Sequence, residues 1–406
     1  MTNEAYISAH REEDVRQLAL KRMPDGVNRQ WCLQQIEGWQ LARQKLPRWA
    51  ATEGLHYPPR LSLEQCSGEA AARYKHSVLA RLLPAEDRGS MADLTGGLGV
   101  DFSCLAPLFR RAAYLEVQPH LVELARHNMQ LLLPASAGEP SLSCEIRQAS
   151  GDCSFVRERY EATGEAFSLL YLDPARRDGV GRKTVAIADC TPNILELQDE
   201  LLACSRYVVL KLSPMLDIRQ ALRELKGVCE VHVVSVKGEC KELLFVCTAQ
   251  ADRQADITYH CVNLGTEDDC IEVSGKLPAC STTSHIQPSA FLYEPNASIL
   301  KAGVQDVLCE RYPVQKLHAQ SNLFVSDVRI PGFPGRCFRI VGHSDFGKQH
   351  IKSLIGDLRK ANLTVRNFPL SVADLRRQLH LNEGGTAYLF ATTLADGKRI
   401  LIRCEK

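Results

Sequence analysis

Over the first 88 residues apolar positions recur three and four apart. The stretches "DVRQLALKRM" and "CLQQIEGWQLARQKL" both carry this spacing, which predicts amphipathic helices and an N-terminal helical region over residues 1–88. All three tryptophans, Trp31, Trp39 and Trp49, fall in it. They read as helical core or as a helix packed on the next domain, the alternative being a stacking surface for nucleic acid. "YPPR" at 57–60 interrupts the pattern, and "CSGEAAARYKHSVLARLL" (66–83) opens another helix. Ser67 is its expected N-cap, with Glu69 at the positive end of the dipole.

From Met91 to Gln250 the pattern changes. The stretches "MADL", "RAAYLEV", "CEIRQAS", "SLLYLDP", "RYVVLKLSP", "CEVHVVSV" and "ELLFVCTA" read as strands, several of them continuous Val/Leu runs. The first six strands are interleaved with helical segments such as "DFSCLAPLF", "PHLVELARHNMQLLL" and "NILELQDELLAC". Runs apolar throughout predict strands buried on both faces, and alternation with helices predicts a mostly parallel, doubly wound α/β sheet over 89–252. Only the turn "KGECK" separates the last two strands, so one of them is expected to run antiparallel. The Pro/Ser/Thr-rich "GKLPACSTTSHIQPSA" (275–290) reads as a linker, and "RIPGFPGR" (329–336) as a second break. Between them, 291–328 reads as a helix followed by short strands. The rest, strand–helix–strand–helix–turn–two strands, predicts a small α+β module over 331–406.

The net charge of +1 is uninformative until its distribution is read. Residues 331–406 hold thirteen Lys/Arg against six Asp/Glu, a net +7, which leaves about −6 for the remainder. A basic module on an acidic body points to a polyanion partner. Sixteen cysteines include no C-x-x-C pair. They read as free thiols in a reducing, cytoplasmic compartment, with no metal expected. The N-terminus has no apolar core and carries early acids, unlike a signal peptide. No apolar run approaches the roughly 20 residues of a membrane span. The expectation is a soluble protein without a membrane partner; its oligomeric state is not given.

The glycine turn "ADLTGGLGVD" (92–101) carries the first chemistry. A P-loop requires Lys-Ser/Thr after its last glycine, whereas Val100 and the anionic Asp101 follow Gly99. A dinucleotide site requires G-x-G-x-x-G, and the third glycine is missing. An acid before the turn (Asp93) and another at the end of the second strand (Glu116) suit a nucleoside cofactor that lacks phosphate.

These motifs resemble the class I S-adenosylmethionine-dependent methyltransferases. The resemblance, with the C-terminal part included, covers most of residues 60–406. It implies a Rossmann-like seven-stranded sheet and S-adenosylmethionine as cofactor. Asp93, Gly97 and Gly99 match the family's D-x-G-x-G-x-G, with Thr95 at the first glycine's place. The family pattern further implies Glu116 as the ribose acid, Asp152 in "ASGDCSF" as the adenine contact, and "LLYLDPARR" beside the transferable methyl. In that last motif Asp173, Pro174 and Arg176 are the candidate catalytic residues. Arg177 and Lys211 are candidates for the substrate side, Lys211 being equally readable as a snorkelling core-edge lysine. Ala175 replaces the usual second proline and no aromatic follows, which weakens the case for base stacking here. "FLYEPNASILKAG" resembles a ferredoxin-like segment (275–330), and the basic end (331–406) resembles a THUMP-like domain.

The expected function is direct methyl transfer to a base nitrogen of rRNA or tRNA, with RNA bound by the basic C-terminal domain. The alternatives are a methyltransferase of a small molecule or protein, or a non-catalytic RNA-binding protein that retains the fold.

Overall fold

The computed structural model describes residues 1–133, 142–176, 186–251, 257–265, 269–275, 280–287, 290–356 and 358–406. The chain divides into two compact units, one of residues 1–231 with 242–255 and one of residues 232–241 with 256–406.

The first unit is built on strands β1 (Ser90–Asp93), β2 (Arg111–Glu116), β3 (Ser143–Gln148), β4 (Phe167–Leu172) and β5 (Ser205–Leu212), with the parts of β6 (Val228–Val236) and β7 (Glu239–Cys247) that lie outside residues 232–241. Their spatial order is β3-β2-β1-β4-β5-β7-β6. Neighbours from β3 through β5 pair in parallel. β7 runs antiparallel to β5, with Leu210 opposite Phe245, as the short polar turn before it predicts. The central strand β4, "FSLLYL", is buried at all six positions. The order reverses beside β1, from which chain connections leave in both directions. In open α/β sheets this places a crevice at the C-terminal ends of β1 and β4.

Helices α1 (Arg29–Lys45), α2 (Glu69–Leu82), α3 (Val100–Leu105) and α4 (Pro119–Leu132) contribute to the core of this unit. α4 opens on a proline at its first position, where no N–H is needed. It buries Leu121, Val122, Ala125, Met129 and Leu132, one stripe at helical spacing. Trp49, 2% exposed, shares a cluster with Phe102, Tyr114 and Tyr171. Trp39 donates its indole N–H to the Ala50 carbonyl, with the Arg11 and Arg43 guanidinium groups 4.6 and 5.0 Å from its ring. Trp31 meets His56 edge-on. The tryptophans thus make packing contacts, Trp31 within the helical region and Trp49 with residues of the α/β sheet and its helices. Ser67 does not cap α2: Gly68 is the N-cap residue, because the Ser67 hydroxyl is drawn to Asp101 instead. Helices α5 (Ser154–Thr163), α6 (Ile194–Ala203) and α7 (Ile218–Glu224) connect the later strands.

The second unit contains an antiparallel pair, β8 (Thr258–Leu264) and β9 (Asp269–Val273), which the sequence pattern did not disclose. It also has a seven-stranded sheet: β10 (Phe291–Pro295), β11 (Gln315–Lys316), β12 (Phe324–Ser326), β13 (Gly335–Asp345), β14 (Asn362–Arg366), β15 (Ala387–Thr393) and β16 (Arg399–Glu405). The order is β11-β12-β10-β13-β16-β15-β14, and the β14–β15 pair is parallel. The piece after 290 therefore opens with a strand; its helix α8 (Ala297–Ala302) follows, the reverse of the expected order. Helices α9 (Lys348–Ile355) and α10 (Val372–Leu379) bury Ile351, Ile355 and Leu375 in one cluster with Leu389 and Leu401. Cys280 and Cys309 form a disulfide with a Cα–Cα distance of 5.5 Å, which corrects the reading of every cysteine as a free thiol. Chain separation of 29 residues hid the pairing from spacing rules. Among the described residues no helix is long and apolar enough to cross a membrane.

Candidate active site

The site forms where β1, β2, β4 and β5 end. Asp93, the last residue of β1, is 1% exposed, and its Oδ1 accepts the Thr95 N–H at 3.0 Å. Burial pushes its carboxyl up to about 8, against the lowering effect of that hydrogen bond. The chain then turns through Gly96, Gly97 and Gly99. Gly97 and Gly99 have φ of +57° and +81°, where a side chain is strained. Gly96 is required for a different reason. A Cβ there would lie 2.1 Å from the Tyr114 ring, so β2 leaves no room for one. At Gly97 the Cβ position meets only the Thr95 carbonyl, at 3.7 Å. This is the open point of the turn, where a ligand can approach backbone.

Glu116, at the end of β2, is 7% exposed. Its Oε2 accepts the Gly97 N–H at 2.9 Å and its Oε1 the Gln118 N–H at 2.8 Å. A carboxylate has about four lone-pair sites, so both oxygens keep acceptor capacity for hydroxyls. Beneath the turn, the Tyr114 hydroxyl donates to the Gly97 carbonyl at 2.5 Å. Sequence reasoning passed over Tyr114 because it looks like one more apolar strand residue.

Thr95 replaces the family's first glycine for a visible reason. Its Oγ1 accepts the Asp173 N–H at 2.6 Å, so one side chain ties the tip of β1 to the tip of β4. Asp173 is partly open and Pro174 is buried. One Asp173 carboxylate oxygen is ion-paired with Lys211 from β5. Burial works against the Lys211 charge, but Asp173, Asp101 and Glu242 outweigh it and raise the ammonium above the usual lysine range. Lys211 is the ion-pair partner of Asp173.

Asp101, an argument against a triphosphate in the sequence, has its own partners. Its Oδ2 accepts the hydroxyls of Ser67 (2.6 Å) and Tyr171 (2.8 Å), and its Oδ1 lies 3.0 Å from the Lys75 ammonium. Lys75 also donates to Glu242 at 2.7 Å and to Ser67 at 3.2 Å. Burial would raise the Asp101 carboxyl, but Lys75 and Lys211 outweigh it and hold it below the ordinary range.

The structure thus brings together Asp93, Thr95, Gly97, Gly99, Glu116, Asp173 and Lys211. Asp152 follows β3, next to Gly151, whose Cβ position lies 2.4 Å from the Leu94 carbonyl just after β1. Its Oδ1 accepts the Ser154 N–H at 2.9 Å at the start of α5, and the Ser154 hydroxyl and N–H hold its carboxyl low. Arg176 belongs to a two-residue strand that pairs with Cys190–Thr191. Its side chain lies outside the described part of the structure, and Arg177 lies outside the described residues.

In the second unit a cavity of about 1020 Å³ opens between β14 and α10, lined by Arg336, Arg376, Arg377, His380 and Tyr388 among others. Arg336 and Arg366 both pair with the buried carboxylate of Glu294.

Known proteins match both parts of the chain. The THUMP domain-like family matches residues 335–406 and a ferredoxin-like domain family residues 291–334. A protein from Porphyromonas gingivalis W83, assigned as a methyltransferase, has a crystal structure similar to this one at a TM-score of 0.81. It is 32% identical, over 100% of this chain and 97% of that one. An uncharacterized S-adenosylmethionine-dependent methyltransferase of Mycobacterium tuberculosis is 23% identical over 83% of this chain and 84% of its own length. With the acids and the glycine turn in place at the ends of β1 and β2, the chain belongs to the S-adenosylmethionine-dependent methyltransferases that end in a ferredoxin-like segment and a THUMP-like domain.

Proposed function

We propose that the protein methylates a base nitrogen of rRNA or tRNA by direct transfer. The observation that carries this reading is Asp173, tied through its N–H to Thr95 and through its carboxylate to Lys211. It is an acceptor oriented at the β4 tip with no cysteine nucleophile at the neighbouring β5 tip, where "LKLSPML" has Ser213. S-adenosylmethionine, when bound, supplies an electrophilic methyl on its sulfonium. In this reading Glu116 takes the ribose hydroxyls with its remaining lone pairs, and the Gly97 backbone lets the cofactor approach. Asp93 faces the amino-acid end, and Asp152 offers Oδ2 to the adenine amine. Asp173 orients the exocyclic amine of the acceptor and takes the proton released as the N–C bond forms. Most of the acceleration comes from alignment and exclusion of water. Pro174 keeps Asp173 extended. Arg176 and Arg177, next to it in sequence, are assigned to phosphate.

RNA is favoured as acceptor by the net +7 of residues 331–406 and by the Arg376/Arg377 cavity. The test is transfer of labelled methyl from S-adenosylmethionine into RNA, protein and small-molecule fractions of cells that lack the gene. Label in RNA supports the reading. Label confined to protein or metabolites replaces the acceptor class, and no label in any fraction favours a non-catalytic RNA-binding protein.

A further inference from the structure

The parallel ladder between β1 and β4 ends one step short of the Asp173 amide. Its last register pair is Asp93 with Tyr171, and beyond it the Leu94 N–H still donates to the Tyr171 carbonyl at 3.0 Å. Groups two residues apart on a strand face the same neighbour, so the Asp173 N–H also points toward β1. In a continuing parallel ladder it would meet the Leu94 carbonyl, and the Gly96 N–H would return to β4. Neither bond is made. The Gly96 N–H goes to Leu115 on β2, at 2.8 Å, because the chain has entered the glycine turn. The Asp173 N–H goes to the Thr95 Oγ1, at 2.6 Å. An N–H donates and never accepts, so the threonine oxygen is the acceptor. A side chain has taken the place of a ladder carbonyl.

Thr95 is itself held from the donor side, since its own N–H goes to Asp93 Oδ1 at 3.0 Å. Nor does its backbone call for glycine: Gly97 and Gly99 have positive φ, and Thr95 does not. A glycine at 95 would fit the turn but would offer Asp173 no side-chain acceptor. Asp173 is therefore fixed twice, by Thr95 at its amide and by Lys211 at its carboxylate.

We propose that Thr95 is a positioning residue for the acceptor side of the reaction: its hydroxyl carries the placement of the glycine turn, and with it of the methyl donor, to Asp173. The proposal rests on the reading of Asp173 as the group that orients the acceptor. Thr95 acts through Asp173 and is assigned no contact with donor or acceptor.

The experiment compares full-length wild type with Thr95→Val and Thr95→Ser. The readouts are calorimetric titration of S-adenosylmethionine, amide hydrogen exchange of residues 171–175, and methyl transfer into RNA from cells that lack the gene. Valine has the branched shape of threonine without the acceptor. At saturating donor its transfer rate should fall about tenfold to a hundredfold, the scale of a misplaced reacting group. Donor affinity should be unchanged, and exchange at the β4 tip should be faster. Thr95→Ser keeps the hydroxyl and should restore both rate and protection. Thr95→Ala makes the same comparison if the valine variant does not fold. Transfer at the wild-type rate without the hydroxyl overturns the proposal. So does a loss of donor affinity that matches the loss of rate, which would make Thr95 part of the donor site, and so does a serine variant that restores neither readout. Wild-type protein that binds the donor but labels no RNA contradicts the acceptor reading instead. In that case unchanged exchange at the β4 tip of Thr95→Val still overturns the proposal, and faster exchange reversed by serine still supports it.

Discussion

Two regions of this chain gather charge in opposite media. At the β4 tip the side chains of Lys75, Asp101 and Glu242 are less than a tenth exposed and meet at 2.7 to 3.0 Å. In the C-terminal module Arg377 is 80% exposed, 3.5 Å from Asp374, and the cations outnumber the acids. Charges near water are screened and individually weak. Buried charges are costly to place and costlier to strand. The first region should therefore respond to mutation through folding and chemistry, the second through partner affinity and salt.

The largest effect should come from breaking the buried side. Lys75→Met leaves Asp101 and Glu242 without their shared cation, and urea unfolding should show a loss of about 3–5 kcal/mol. Arg376→Ala with Arg377→Ala should change the same measurement by no more than about 0.5 kcal/mol per site. Comparable losses would dissolve the contrast. Next comes Asp173→Asn, for which methyl transfer should fall about 100-fold or more; the unfolding midpoint should fall less than in Lys75→Met, because Lys211 keeps Asp101 and Glu242 nearby and the Asp173 carboxylate is partly open.

A pH series sharpens the comparison. Asp93 is protonated up to about pH 8 in the fold and ionises near 3.8 when unfolded. Between these values the native state binds more protons, so this group's contribution to stability falls as pH rises from about 4 to about 8. The stability of wild type minus that of Asp93→Asn should decline across that window, read from urea midpoints at successive pH values. A flat difference would mean Asp93 is not buried as a neutral acid. The smallest effect belongs to the groove. Each arginine removed there should lower the salt dependence of RNA binding by about one counterion, measured by fluorescence anisotropy at several salt concentrations.

The contrast also explains what was legible in the sequence. The strands of the first unit were readable because β4 and β5 carry long apolar runs, and the glycine turn because its residues are contiguous. β8 was not, since it buries His260 beside Cys261 and Val262, and polar residues blur the pattern of a buried strand. Lys75 and Glu242 meet across 167 residues, a contact only the fold creates. Thr95 looked like a flaw in a motif until its hydroxyl was seen to join β1 to β4. Asp101 was read only as an anion that would repel a triphosphate, whereas Ser67, Tyr171 and Lys75 enclose it. In the C-terminal module, where the argument rests on net charge rather than on pairs, composition already carried most of the information.

The account depends first on the ends of β1 and β2 forming a methyl-donor site. The most direct test is calorimetric titration of S-adenosylmethionine into the wild-type protein and into Glu116→Ala. Loss of the hydrogen bonds from the ribose to a charged group should cost roughly 1.5–3 kcal/mol. The account predicts clear binding to wild type that weakens about tenfold or more in the variant. Wild-type protein that does not bind, or a Glu116→Ala protein that binds equally well, would contradict it.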